Sequence, residues 1–436
     1  MIPVLSGILC KYVLYLRKQK IYRKCGIVRL RQACYLCRIN LTKSSMIFKS
    51  LPFRLALSMI TGILGGLVAN EIVMQVVITV QNLLSAIILF IVPLIIIGFI
   101  TPSITQLGRN ASRMLGLALL LAYLSSVGAS FFSVAAGFAI LPNLNIMSDA
   151  GTHQTLPEMI FDLKIPPVMP VMSALVFSVI IGISAAWKCA RKVIAALDEF
   201  QGMVFLIVTR IIIPILPIFI ACTFCSLAYE GLITKQLPVF LAVILIVMVG
   251  HFLWMALLYA LSAIYAKKNP FRVLRHYLPA YLTAIGTMSS AATLPVALEC
   301  ARKSDILRRD MVDFGIPMFA STHLCGSVLT ETFFVMTVSQ VLYGTLPSLS
   351  SLILFSFLLG IFGIAAPGVP GGTVMASLGL IVSVLGFDAA GTALMLTIFA
   401  LQDSFGTACN VTSDGALTLI MSEYRNRKEK IQMNKL

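Results

Sequence analysis

Charge is what this sequence has least of. Only 11% of its 436 residues are charged, against roughly 25% in a soluble globular domain, and that excludes a soluble fold. Acidic residues are scarcer than basic ones, 17 against 33, and none occurs in the first 54 positions. The net charge of +16 does not mark a nucleic-acid binder, because the basic clusters flank apolar runs and no aromatics are interleaved for base stacking. Cys34 and Cys37 form a CxxC with no second pair to complete a zinc site. Cys189, Cys222, Cys225, Cys300, Cys325 and Cys409 sit in or beside apolar stretches, as small buried thiols commonly do, and imply no disulfide framework. A nucleophile elbow, a phosphate loop and a metal-spaced His/Asp/Glu cluster are also missing, so the chain does not read as an enzyme.

Apolar runs fill the remainder, at roughly 55–70, 74–101, 113–141, 169–187, 203–228, 237–265, 314–343, 350–385 and 389–422. About 20 such residues cross a bilayer, so the expectation is an all-α polytopic membrane protein. Twelve Lys and Arg lie in residues 1–54. Further clusters fall at 267–275, 302–309 and 425–435. Basic loops beside apolar spans mark the cytoplasmic side, which predicts a multi-pass protein of the plasma (inner) membrane with both termini cytoplasmic. From Met46 the chain reads as the start of a first helix. The expectation is that Met46 is the initiator and the basic extension 1–45 is not translated or is dispensable, with a surface-lying segment as the alternative. Residues 46–265 then supply N-terminal helices, largely scaffold, 266–424 a core, and 425–436 a basic tail.

Two apolar segments are broken by small and turn-forming residues, Thr287–Pro295 and Gly363–Gly372. Their arms are too short for two full crossings each, which predicts re-entrant hairpins at about 270–302 and 347–385 beside about eight transmembrane helices. The basic clusters at 267–275 and 302–309 bracket the first. The second lies between residues 310 and 424, where no Lys or Arg occurs. The hairpins therefore enter from opposite sides with their tips meeting. Irregular backbone at that depth must face protein or a watery cavity, and paired interruptions point to a transporter binding site. The final apolar stretch carries Asp403, Ser404, Thr407, Asn410, Thr412, Ser413 and Asp414. Polar groups this costly in hydrocarbon should line a solvated or ligand-filled cavity.

The runs Ser289-Ser290-Ala291-Ala292-Thr293-Leu294-Pro295 and Pro367-Gly368-Val369-Pro370-Gly371, followed by Asp403, Thr407, Asn410-Val411 and Asp414, resemble the dicarboxylate/amino acid:cation symporters, the glutamate-transporter family. The resemblance covers about Met46 to Tyr424. It implies a homotrimer in which a scaffold holds a mobile transport domain, cation-coupled symport by alternating access, and a small amino acid as substrate. By resemblance, Asp403 holds the substrate amino group and Asn410 its carboxylate. Ser289 and Ser290 supply donors at the first hairpin tip, and Thr407, Val369 and Gly371 complete the substrate set. Asp414, Asn410 and the Ala366 region would bind sodium. No cofactor and no metal beyond sodium is implied.

The departures matter as much. Acidic-substrate members carry an Arg where Gly406 stands, and the alternative Arg position is Met288. An unpaired second substrate carboxylate would cost several kcal/mol, so a neutral amino acid is the expectation, with Gly406 leaving room for a larger apolar side chain. Glutamate, aspartate or a C4-dicarboxylate is the alternative. The family's Asn-Met-Asp-Gly-Thr run is here His323-Leu324-Cys325-Gly326-Ser327, and Glu331 follows. Loss of that aspartate suggests fewer sodium ions or partial proton coupling, with Glu331 and His323 as proton-carrying candidates, although an interior histidine is more often a packing residue. A pore between the hairpins is the channel alternative, which the single substrate-type constellation suits less.

Overall fold

Proline and glycine decide where the helices of this chain stop, turn or bend. The computed structural model describes residues 51–109, 113–144, 155–163, 165–231, 233–366, 368 and 370–433. The expectations for residues 1–45 and for Val369 therefore lie outside the described residues. Leu55–Leu436 form one compact unit.

The helices run α1 (Leu51–Val68), α2 (Glu71–Arg109), α3 (Arg113–Ile140), α4 (Val171–Trp187), α5 (Arg191–Ile207), α6 (Ile213–Tyr229) and α7 (Ile233–Ala266). After them come α8 (Phe271–Leu274), α9 (Leu278–Thr287), α10 (Ser290–Arg302), α11 (Arg309–Thr322), α12 (Cys325–Tyr343), α13 (Leu349–Ala365), α14 (Gly372–Leu385) and α15 (Ala389–Met433). No strand occurs among the described residues. A π-helical turn, Val208–Ile212, joins α5 to α6 next to Pro214, which withholds a ladder N–H. Pro93 and Pro102 lie inside α2, as neighbouring helices permit in membranes.

Among the described residues five spans are long and apolar enough to cross a membrane: Glu71–Pro102, Met114–Asn143, Arg191–Tyr229, Val239–Ala266 and Arg309–Tyr343. The arms α9, α10, α13 and α14 have 10, 13, 17 and 14 residues. At 1.5 Å per residue none reaches the ~30 Å of a hydrocarbon core. The paired arms are thus too short to cross singly, as the two expected re-entrant hairpins require.

Local chemistry sets each tip. Met288 ends α9 in the left-handed region at φ 52°, and the Ser289 hydroxyl caps α10 by accepting the Ala292 N–H at 3.2 Å. The first turn is therefore made at Met288 and Ser289, while Pro295, which the sequence placed in the break, rides inside α10. Gly371, at φ 70°, starts α14 in a conformation that costs glycine nothing. The α11–α12 break falls at His323 and Leu324 without a proline, His323 being extended at φ −114° and ψ 98°. Helix α12 packs against α3 and α15, and α7 packs against α15, so two helices from the N-terminal half lie on the C-terminal core.

Candidate functional site

The polar run of α15 is helical throughout. Asp403, Thr407, Asn410 and Asp414 repeat at spacings of four, three and four, share one face, and are 1–4% exposed. Three of them meet a break in a neighbouring helix.

Asp403 Oδ2 accepts the Gly371 N–H at 2.7 Å, which ties α15 to the second hairpin tip. That tip touches the first, because Ser289 Oγ donates to the Gly368 carbonyl at 2.6 Å and the Ala291 N–H points at the same oxygen from 3.5 Å. Ser290 is buried at the start of α10, and Ala366 is buried at the end of α13 with its N–H on the Phe362 carbonyl at 2.7 Å. Asp403, Gly371 and Ser289 are therefore joined through hairpin backbone.

Asn410 meets the N-terminus of α12. Its Oδ1 accepts the N–H groups of Gly326 at 2.7 Å and Ser327 at 3.3 Å, and its Nδ2 donates to Ser327 Oγ at 2.9 Å. These are orphan donors of a helix start, so Asn410 caps α12 from outside. One amide hydrogen remains for another acceptor.

Asp414 faces the α11–α12 break. Its Oδ1 lies 2.8 Å from His323 Nδ1, and His323 Nε2 lies 2.9 Å from Ser125 Oγ on α3. A carboxylate accepts, so Nδ1 donates. Nε2 then accepts the Ser125 hydroxyl in the neutral ring or donates to it in the charged one, and both states fit this geometry. The second Asp414 oxygen has no hydrogen-bond partner among the described residues. Glu331, fully buried on α12, accepts from the Ser377 hydroxyl of α14, and its other oxygen is likewise unpartnered.

The expectation for Gly406 is corrected. A Cβ there would lie 3.3 Å from the Cα and N of Ser327, and one on Gly326 would lie 2.5 Å from the Gly406 carbonyl oxygen and 2.6 Å from Cys409 Cβ. The missing side chain lets α12 and α15 approach closely and leaves no added room for substrate.

Sequence reasoning missed Ser125, Ser377 and His251, whose Nε2 sits 3.1 Å from the Gly326 carbonyl oxygen. Each is a polar residue in an otherwise apolar span, the signal that singled out Asp403 and Asp414. Among the described residues no group of three or more His, Cys, Asp or Glu side chains is placed to hold a metal ion.

Residues 51–424 match the sodium:dicarboxylate symporter family. The chain is similar to excitatory amino acid transporter 2 of Mus musculus, 26% identical over 224 residues, half of this chain and 38% of the relative. It is similar to excitatory amino acid transporter 3 of Mus musculus, 30% identical over 202 residues, 46% of this chain and 38% of the relative. An excitatory amino acid transporter of Caenorhabditis elegans is 28% identical over 158 residues, 36% of this chain and 31% of the relative. The chain thus spans less than two-fifths of the length of these relatives. A match over nearly the whole described length, on a fold with two meeting re-entrant tips and a buried polar helix face, establishes that the chain belongs to the sodium:dicarboxylate symporter family.

Proposed function

We propose that the chain is a secondary active transporter, a symporter driven by sodium, protons or both, whose substrate is a small neutral amino acid. One observation carries this reading: a buried carboxylate, Asp403, sits where two hairpin tips close on each other, in a segment 310–424 that contains no Lys or Arg. A carboxylate there pairs with a substrate ammonium. A second substrate carboxylate would find no guanidinium in that segment and would stay uncompensated.

Residues 266–424, with α3 and α7 packed on them, form the moving body, and the other N-terminal helices form the scaffold of a homotrimer in the plasma (inner) membrane with cytoplasmic termini. Ser289, Ser290, Thr407, Asn410, Val369 and Gly371 surround the substrate. Asp414, Asn410 and Ala366 serve the coupling cation. The His323 contact occupies one Asp414 oxygen, which supports partial proton coupling through His323 and Glu331. An acidic amino acid or dicarboxylate is the second reading, favoured by the family's description and by the relatives' names.

Purified protein in proteoliposomes, given sodium or proton gradients and a labelled amino-acid panel, tests the proposal. Gradient-driven uptake of a neutral amino acid, lost in Asp403→Asn and Asp414→Asn, supports it. Uptake of glutamate or a dicarboxylate alone overturns the neutral substrate in favour of the second reading, and no uptake under any gradient overturns symport.

A further inference from the structure

Away from the polar face, α3, α7 and α12 enclose a cavity of about 310 Å³. Phe132 and Ala136 of α3 form one wall, Leu245 and Val249 of α7 the other, and Leu329 and Phe333 of α12 the floor. Floor and mouth differ sharply in exposure. Leu329 and Phe333 are 1% and 2% exposed, whereas Leu245 and Val249 are 63% and 58% exposed. All three helices belong to spans long and apolar enough to cross the membrane, so the medium at the mouth is lipid hydrocarbon.

Water does not suit this cavity. A buried water needs two to four polar partners. The one hydroxyl in the lining, that of Ser133, already donates to the Leu329 carbonyl at 2.8 Å. Leaving the volume empty is also unfavourable, because lining atoms then lack contacts on one side. Lipid tails are as apolar as leucine, so entry of a chain gains packing without any hydrophobic term. We propose that this cavity binds one acyl chain of a bilayer phospholipid, which enters between α3 and α7 and rests on α12.

Gly250 keeps the space open. A Cβ at that position would already touch Leu329 at 3.4 Å and Phe132 at 3.8 Å, so a longer side chain would project into the volume. Ala136 lines the opposite wall.

The test uses the full chain in nanodiscs containing a phosphatidylcholine with a mid-chain diazirine, followed by photolysis and mass mapping of adducts. Adducts are expected on Leu329 or Phe333, which no lipid on the outer surface reaches. They are expected to disappear in Gly250→Leu and in Ala136→Phe, while adducts on the exposed Phe177 and Ile180 of α4 persist. Two variants on different helices keep the test decisive if one fails to fold, as judged by its elution profile. Adducts confined to Leu245 and Val249, or adducts on α12 that survive in a folded variant, would each overturn the proposal. The readout needs no transport, so it stands apart from the fate of the symport reading.

Discussion

Replacing Asn410 with leucine should destabilise the protein even where nothing is transported. In the parent, Asn410 Oδ1 accepts two buried N–H groups at the start of α12 and Nδ2 donates to Ser327 Oγ. Leucine fills a similar volume but offers no acceptor. Each orphaned donor costs about 1–3 kcal/mol, and the lost Ser327 bond about 1 kcal/mol more, so Asn410→Leu should lose about 3–7 kcal/mol in all. Ser327→Ala removes only the last bond and should lose about 1 kcal/mol. Denaturant unfolding of substrate-free protein in micelles, followed by the fluorescence of Trp187 and Trp254, reads the graded series. If Asn410→Leu unfolded within about 0.5 kcal/mol of the parent, as neutral surface changes do, the capping role assigned to Asn410 would be refuted.

Gly326→Ala should place a Cβ 2.5 Å from the Gly406 carbonyl oxygen and 2.6 Å from Cys409 Cβ, forcing α12 from α15. Overpacking of this kind costs about 1–3 kcal/mol, and uptake should fall along with the melting temperature. Glu331→Gln keeps an acceptor for Ser377 but removes a proton site. Uptake by this variant should persist and lose part of its pH dependence, and an unchanged pH profile would remove Glu331 from proton coupling. At the C-terminal end of α15 the Arg308 guanidinium bonds Glu429 and holds its carboxyl below the usual carboxylate range. A depressed carboxylate stabilises above its unfolded pKa and loses that contribution as pH falls through the folded value. Melting curves from pH 7 to 3 should therefore drop more steeply for the parent than for Arg308→Ala.

The sequence exposed crossings, hairpins and the buried polar face because membrane burial makes each signal loud: long apolar runs, paired Gly/Pro breaks, carboxylates in hydrocarbon. The α11–α12 break at His323 and Leu324 was not legible: 314–343 read as one apolar run, since no proline marks the interruption. Gly406 was misread for a physical reason. One chain shows that a side chain is missing but not which neighbour takes the space, and here the neighbour is the Ser327 backbone. Ser125 and Ser377 went unnoticed because a hydroxyl in an apolar helix usually bonds its own backbone, and only tertiary contact reveals His323 and Glu331 as their partners.

Helix α15 runs 45 residues without a proline, about 68 Å at 1.5 Å per residue, more than twice the hydrocarbon thickness. Its far end is not loose. Glu429 is held by Arg308, and Arg427 reaches the Tyr265 carbonyl at 2.5 Å. Asp403 and Met433 therefore sit on one stiff rod, and the tail behaves as the needle of a gauge whose pivot is hidden in the bilayer. A fluorophore near Lys430 should therefore register a tilt of the polar face, since one unbroken helix carries both.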